Sequence, residues 1–232
     1  MSGAAHRLLV VVPAHDEEAT LGRCLSHVAR AVGVVGSLAA VRTVVVLDAC
    51  SDRTAEVAAG HDVEVVTCEL RNVGAARALG VDVAGRDVAD LAGAWVATTD
   101  ADSRVGPSWL LEHLAAARAG QDGLVGRVRP EPADLAGPVL EEWHRRHRVG
   151  GRHVHGANLG VRLSAYRSVG GFPPLATGED VALVRALREA AGAVGDGGTP
   201  VVTSARRRAR APGGFASYLR TLAREVAAAP LP

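Results

Sequence analysis

The chain has 232 residues, of which 48% are hydrophobic, so it is long enough for one large α/β domain or two small ones. Its net charge of +1 disfavours a general nucleic-acid-binding protein, because such proteins carry a large excess of basic residues. Aromatic residues make up only 3%, and the apolar residues are mainly Ala, Val and Leu, which favours close packing of helices on a sheet.

The cysteines and the N-terminus favour a cytoplasmic protein. Cys24, Cys50 and Cys68 have no metal-type spacing, and an odd number does not make a disulfide framework. We expect no signal peptide, since the apolar run at residues 8–12 is too short and leads directly into Pro13. No apolar run approaches the roughly 20 residues that span a bilayer, so we expect no transmembrane segment. Peripheral contact with a membrane stays open.

Apolar runs and amphipathic segments alternate over roughly the first 130 residues. Strands are predicted at residues 8–12, 44–47, 63–67, 94–99 and 124–128, and the first two are continuous apolar runs typical of buried parallel strands. Segments with helical spacing or helix-start signals lie between them, at residues 21–32, 54–59, 72–83 and 109–119. This β-α-β-α-β-α-β-α-β order predicts a doubly wound, parallel sheet with right-handed crossovers.

The pattern is less regular after residue 130. Helices are predicted at residues 135–148, 164–169, 178–191 and 215–229, and a last short strand at residues 201–203. The Gly- and His-rich residues 150–160 predict a loop and a short strand, and residues 195–198 predict a loop.

Acidic residues follow several of the predicted strands. Asp16 and Glu17 lie after the first, Asp48 ends the second, and Asp100 and Asp102 follow the fourth. The carboxyl ends of parallel strands share one edge, so these carboxylates should meet there. Two hard oxygen donors on an Asp-x-Asp turn suit Mg²⁺ or Mn²⁺, which in turn suits a diphosphate. A polar turn or a helix cap would explain any one of these residues alone.

Six segments, in chain order between residues 8 and 187, resemble the motifs of family-2 glycosyltransferases. They are residues 10–21 (VVVPAHDEEATL), 46–54 (VLDACSDRT), 72–80 (NVGAARALG), 99–102 (TDAD), 156–162 (GANLGVR) and 170–183 (GGFPPLATGEDVAL). Each segment alone is a weak signal, whereas six in the family's order are a strong one. Two segments depart from the usual pattern. His15 and Asp16 stand where Asn-Glu is usual, and Ala49 and Cys50 replace a second Asp and a Gly, which leaves the nucleobase unassigned.

The resemblance implies a GT-A fold. This is an α/β architecture with a doubly wound, mostly parallel sheet flanked by helices. It would form a single domain over residues 1–232, with a Rossmann-like nucleotide-binding half at about 1–130 and an acceptor half at about 131–232. The implied activity is transfer of a sugar from a nucleotide-diphosphate-sugar donor, a UDP- or GDP-sugar, to an acceptor hydroxyl. The acceptor would be a small molecule, a glycan or a lipid-linked compound. Inversion of configuration is expected, and retention stays open.

The resemblance also implies roles for individual residues. Asp102, assisted by Asp100, would hold the Mg²⁺ or Mn²⁺ that stabilises the leaving nucleoside diphosphate. Asp180 would be the general base that accepts the proton of the acceptor hydroxyl, oriented by Glu179. The implied nucleotide-binding residues are Pro13, Ala14, Asp16, Glu17, Asp48, Arg77 and Asp100. Further candidates for contact with the acceptor or a phosphate are His155, Asn158 and Arg206.

Simpler explanations stay open for several of these residues. Glu179 and Asp180 also suit the acidic first turn of a helix, where the helix dipole favours them. Arg77 and Arg206 equally suit solvent-facing positions, and His155 suits a core or solvated position.

Two other functions also stay open. A nucleotidyltransferase would use the same kind of sheet with Mg²⁺ and a nucleotide. It usually has a Gly-rich phosphate loop after the first strand, where this chain has the acidic residues 14–18 without Gly. A catalytically inactive, nucleotide-sugar-binding protein would fit the altered second motif. The intact Asp100, Asp102, Glu179 and Asp180 argue against that second alternative.

Overall fold

The computed structural model describes residues 7–147, 153–206 and 214–228. Its strands are β1 (Arg7–Ala14), β2 (Ala40–Asp48), β3 (Glu64–Cys68), β4 (Ala94–Thr98), β5 (Ser103–Arg104), β6 (Gly123–Pro130), β7 (Leu159–Arg162) and β8 (Val194–Thr203). Its α-helices are α1 (Leu21–Val35), α2 (Thr54–Ala59), α3 (Val73–Gly85), α4 (Trp109–Arg118), α5 (Gly137–Arg146), α6 (Leu163–Ser168), α7 (Glu179–Glu189) and α8 (Phe215–Ala228). Across these ranges, no helix is long and apolar enough to cross a membrane.

The strands form one mixed, mostly parallel sheet in the order β3-β2-β1-β4-β7-β6-β8-β5. The predicted parallel half is confirmed, since β2 pairs in parallel with β1 and β3, and β1 with β4. β7 lies between β4 and β6 and is antiparallel to both. β6 and β8 are parallel to each other, and β5 is antiparallel to β8.

Two parts of the sheet differ from the sequence prediction. Residues 195–198 are not a loop, because they belong to β8 and pair with β6 from Leu124 to Gly126. Their glycines suggested a loop, but pairing with a distant strand satisfies the backbone there. β5 has only two residues and pairs with Val202 and Thr203, so no local pattern marks it.

Helices cover both faces of the sheet. Along β1, Leu8, Val10 and Val12 face one hydrophobic core, and Leu9 and Val11 face the other. The first core is completed by α1, α4, α5 and α8, and the second by α3, α6 and α7. Because both faces of β1 are buried, its sequence is continuously apolar rather than alternating.

The strand directions determine which residues lie at one edge of the sheet. β1, β2, β4, β6 and β8 all end at the same edge of the sheet, whereas the antiparallel β7 begins there. This edge therefore collects the residues that follow β4, the residues that follow β8 and the turn Gly156–Asn158 that precedes β7.

The packing of α3 on the sheet depends on Gly80. A Cβ at this position would overlap Cγ1 of Val11 and lie 2.9 Å from Cγ2 of Val46. Both neighbours are stiff, β-branched side chains with no exposed surface, so neither can move aside without disturbing the core.

We expect Gly80→Ala to lower the free energy of unfolding by about 1–3 kcal/mol, because it overpacks this contact. Gly33→Ala is the matched control, since Gly33 lies in α1 and a Cβ there meets no atom within 4 Å. The control should be neutral or stabilise by up to about 1 kcal/mol, because Ala favours helix over Gly. Urea denaturation measures both variants, and equal stability changes would contradict this account of α3 packing.

Candidate functional site

A cavity of about 580 Å³ opens at the edge of the sheet where β1, β2 and β4 end. The sequence-predicted site residues that line it are Pro13, Ala14, Glu17, Asp48, Arg77, Asp100, Asp102, His155, Glu179, Asp180 and Arg206. The structure does not bring Asp16 and Asn158 into this lining. The positions of the strand ends predicted four of these residues, Glu17, Asp48, Asp100 and Asp102, and the family resemblance supplied the others.

Asp16 lies beside the cavity and joins two of the loops that form it. Its carboxylate accepts the backbone N–H of Ser51 at 2.7 Å and that of Asp52 at 3.3 Å. The hydrogen bond from Ser51 is the main cause that lowers the pKa of Asp16 below its ordinary value. Asp16 thus fixes the loop after β1 against the loop after β2.

Asn158 is buried, and the side chain is fully engaged. Its Oδ1 accepts the indole N–H of Trp109 at 2.9 Å. Its Nδ2 donates to the carbonyls of Arg127 at 2.8 Å and Thr199 at 3.3 Å. Asn158 therefore anchors the turn Gly156–Asn158 to β6 and α4, and its amide does not face the cavity.

Asp48 shapes the end of the cavity that lies next to α3. Its two carboxylate oxygens accept the backbone N–H groups of Arg71, at 2.8 Å, and Asn72, at 2.9 Å. Asn72 in turn caps α3 by accepting the N–H of Ala75 at 2.9 Å. Asp48 does not cap the next helix along the chain, because α2 begins with Thr54 bonded to the carboxylate of Asp52. Asp48 instead holds the loop that leads into α3.

Arg77 is buried between two carboxylates from distant parts of the chain. One terminal nitrogen donates to Glu179 and the other to Asp100. A Cβ on Gly156 would lie 2.5–2.6 Å from the guanidinium, so glycine is what lets the turn before β7 approach it. Arg77 is only 4% exposed, which excludes the solvent-facing position that the sequence left open.

Arg206 makes a second set of ion pairs beside the first. It donates to both carboxylate oxygens of Glu17, at 2.8 and 3.0 Å, and lies 2.8 Å from Oδ2 of Asp102. Glu17 also accepts the hydroxyl of Thr20 at 2.6 Å. Arg207 and Arg208, the next two residues of the chain, lie outside the described residues.

The charges of this cluster do not balance. Four carboxylates, those of Glu17, Asp100, Asp102 and Glu179, share the two guanidinium groups just described. Burial is the main cause that raises the pKa of Asp102 to about 6. Arg206 opposes that shift, whereas Asp100 and Glu17 add to it. Counted over the described residues with all members ionised, the cluster carries an excess of two negative charges.

The chemistry of these carboxylates fits a divalent cation. Asp102, Asp100 and Glu17 supply hard oxygen donors of the kind that Mg²⁺ and Mn²⁺ prefer, and their negative charge favours a cation. Within the described ranges, no group of three His, Cys, Asp or Glu side chains forms a metal site as it stands. Arg206 lies against two of the three candidate ligands, so an ion could bind Asp102 only if this guanidinium moved.

Glu179 and Asp180 begin α7, and both face the cavity. Gly178, with a φ of 79°, turns the chain into the helix. Asp180 accepts the N–H of Gly156 at 2.6 Å through Oδ2 and that of Val181 at 2.8 Å through Oδ1. The two acids are thus the acidic first turn that the sequence left open, and they also lie in the candidate site.

Aromatic and imidazole rings form the other end of the cavity. Trp143 on α5 stacks on His147 with centroids 3.4 Å apart, and its edge contacts Phe215 and Tyr218 of α8. Burial is the main cause that lowers the pKa of His155 to about 4, and neighbouring histidines lower it further. His155 is therefore uncharged near pH 7.

Two members of this ring cluster, Phe215 and Tyr218, were not predicted from the sequence. Phe215 and Tyr218 are separated by one helical turn of α8, which is the spacing that presents two side chains on one face. That spacing was a usable signal for a shared face. Nothing local indicated that this face meets α5 and the cavity.

This fold and this acidic sheet edge define a glycosyltransferase of the GT-A class. A model of the family described as glycosyl transferase family 2 matches residues 9–167, and the chain belongs to that family. The resemblance found in the sequence is confirmed. No curated protein matches the chain by sequence.

Solved structures share the fold at low sequence identity. TarS of S. aureus in complex with UDP-GlcNAc is 15% identical with a TM-score of 0.66, over 97% of this chain and 68% of that one. Glucosyl-3-phosphoglycerate synthase of Mycobacterium tuberculosis, in complex with Mn²⁺, UDP and glucosyl-3-phosphoglycerate, is 17% identical with a TM-score of 0.61. That match covers 96% of this chain and 77% of the other.

The buried pairing of Arg77 predicts a large and non-additive stability effect. Arg77→Met should lower the free energy of unfolding by about 3–5 kcal/mol, because it leaves the charge of Glu179 buried without its partner. The double variant Arg77→Met/Glu179→Gln should lose less than the sum of the two single variants. Chemical denaturation of all three variants measures the difference, and strict additivity would show that the two side chains are not coupled.

Proposed function

We propose that this glycosyltransferase transfers a sugar from a UDP- or GDP-sugar to an acceptor hydroxyl, with Mg²⁺ or Mn²⁺ and with inversion of configuration. The observation that carries the proposal is the position of Asp100 and Asp102 in one cavity with Asp180. Asp100 and Asp102 follow β4, whereas Asp180 lies in the first turn of α7. Two separate parts of the chain would thus supply the carboxylates for the leaving group and the general base. The UDP and Mn²⁺ complexes of the structural neighbours are consistent with this assignment.

The nucleotide end of the cavity is formed by the ends of β1 and β2. Pro13 and Ala14 line the cavity with small apolar side chains, and Asp48 holds the loop that leads into α3. We infer that the base and ribose lie between these two strand ends, because ligands of open α/β sheets bind at the carboxyl ends of the strands. The diphosphate then reaches the carboxylates that follow β4.

Asp102, with Asp100 and Glu17, would hold the divalent cation. When bound, such an ion stabilises the negative charge that develops on the departing nucleoside diphosphate. Arg77 has a separate task here, because it fixes Asp100 and Glu179 relative to each other. This fixed geometry limits the reorganisation needed during the reaction, which is the source of electrostatic catalysis.

Asp180 is the proposed general base. The acceptor oxygen forms a bond to the anomeric carbon while the bond from that carbon to the diphosphate oxygen breaks, and the hydroxyl proton passes to Asp180. The N–H of Gly156 holds Oδ2 of Asp180, and the N–H of Val181 holds Oδ1, so the carboxylate has a fixed orientation. Glu179 lies beside it and is held by Arg77.

The ring cluster of Trp143, His155, Phe215 and Tyr218 lines the same cavity as Asp180 and is our candidate acceptor side. An acceptor that is a small molecule, a glycan or a lipid-linked sugar could present an apolar ring face to these rings. The low pKa of His155 leaves a neutral imidazole that can both donate and accept a hydrogen bond.

The first test is a donor screen by thermal shift. UDP-, GDP-, dTDP- and ADP-sugars are each added with and without Mn²⁺. A ligand that binds the native state stabilises it by about 2.7 kcal/mol at 100 times its dissociation constant. We expect one donor to raise the melting temperature in a Mn²⁺-dependent way, and Asp102→Asn to reduce that rise.

The same screen separates the alternatives. No shift and no Mn²⁺-dependent hydrolysis with any donor would favour a protein without transferase activity. Release of inorganic diphosphate instead of a nucleoside diphosphate would favour a nucleotidyltransferase.

The second test addresses the base. Asp180→Asn keeps an oxygen that can accept the N–H of Gly156 but removes the proton acceptor, so we expect kcat to fall about 10²- to 10⁴-fold. Donor affinity, measured by thermal shift, should stay unchanged. Asp196→Asn is the control, because Asp196 is an exposed residue of β8 paired with Arg188. Turnover retained in Asp180→Asn would remove this residue from the mechanism.

A further inference from the structure

Arg206 lies where the proposed function requires a metal ion. Its guanidinium is bidentate on Glu17 and also contacts Oδ2 of Asp102, so one cation bridges two candidate metal ligands. A divalent ion held by Asp102 would have to share this carboxylate with the guanidinium. Two cations on one carboxylate repel each other, so binding of the ion would displace Arg206.

The two arginines of the cluster differ in their freedom to move. Arg77 has a 4% exposed side chain, held by carboxylates on both sides and covered by the backbone of Gly156. The Arg206 side chain is 30% exposed and lies only three residues after the end of β8. Arg77 therefore has a fixed place, whereas Arg206 has a route into the open part of the cavity.

The charges of the cluster indicate which group Arg206 would bind after it leaves Asp102. Among the described residues, the four carboxylates and Arg77 carry three negative charges once Arg206 has left, and a divalent ion reduces this excess to one. A bound nucleoside diphosphate adds further negative charge, which the displaced guanidinium can compensate. A guanidinium recognises the paired oxygens of a diphosphate as it recognises those of Glu17, by two parallel hydrogen bonds.

We propose that Arg206 is an exchangeable counter-ion, which holds Glu17 and Asp102 in the free protein and moves to the donor diphosphate when a divalent cation binds Asp102. This inference rests on the proposed function of the cavity. Its consequence is that the metal ion alone binds weakly, whereas metal and nucleoside diphosphate strengthen each other's binding. The coupling is reciprocal, as thermodynamic linkage requires.

The test measures Mn²⁺ binding without turnover. The EPR signal of free Mn²⁺ gives its affinity for the wild-type chain and for Arg206→Gln, first with MnCl₂ alone and then with UDP or GDP added. The measurements are made at mildly alkaline pH, so that the carboxylates are ionised. We expect Arg206→Gln to bind Mn²⁺ alone about tenfold more tightly, since a charged competitor has been removed. In the presence of Mn²⁺, the same variant should bind the nucleotide about tenfold more weakly.

Two further variants make the result specific. Arg206→Lys keeps the charge but loses the bidentate geometry, so its Mn²⁺ affinity should lie between those of the wild type and Arg206→Gln. It also serves as the test variant if circular dichroism shows that Arg206→Gln does not fold. Arg42→Gln is the matched control, because it removes the same charge from an Arg–Glu pair at the opposite end of β2 and should leave Mn²⁺ binding unchanged.

Unchanged or weaker binding of Mn²⁺ alone by Arg206→Gln would overturn the exchange, while leaving a metal–nucleotide site intact if the wild type still binds both together. Failure of the wild type to bind Mn²⁺ even with UDP or GDP would overturn both the exchange and the metal dependence of the proposed function.

Discussion

The buried guanidinium of Arg77 is the contact on which the site depends. It belongs to α3, and it joins Asp100, which follows β4, to Glu179, which begins α7. Without it, the buried carboxylate of Glu179 would have no cation beside it and would be repelled by Asp100, which disfavours the packing of α7 at this sheet edge. The position of Asp180, the next residue after Glu179, is thus set by an ion pair and not by its own side chain alone.

The order of the strands explains why so many distant segments meet at this edge. Because β7 runs against β4 and β6, its beginning lies where its neighbours end. The turn before β7 can therefore supply the N–H of Gly156 to Asp180 and cover Arg77 at the same time. β8, which runs parallel to β6, brings Arg206 to the same edge from the far side of the sheet. A purely parallel sheet would have placed the start of β7 at the opposite edge.

The sequence predicted those parts of the molecule that depend on short-range patterns. The first two sequence-predicted strands are continuous apolar runs, and the carboxylates that follow β1, β2 and β4 meet because parallel strands share an edge. The insertion of the four-residue β7 was not predictable, because its partners β4 and β6 precede it by many residues. The same holds for the ion pairs, since Arg77 and Glu179 are 102 residues apart, and Glu17 and Arg206 are 189 apart. Local spacing identifies a charged residue but not the charge it will face.

The acidic turn after β4 shows why the partner of a charged residue matters. Asp-x-Asp in a sequence suggests a metal site, whereas in the structure each of its two carboxylates is already paired with an arginine. Each pair has one buried and one partly exposed member. In the first pair the arginine is the buried member, and removing Arg77 would leave the buried charge of Glu179 without its partner. In the second pair the arginine is the partly exposed member, and a diphosphate can replace the hydrogen bonds that Arg206 would lose. The proposed exchange therefore takes place at Asp102, while Arg77 stays beside Asp100.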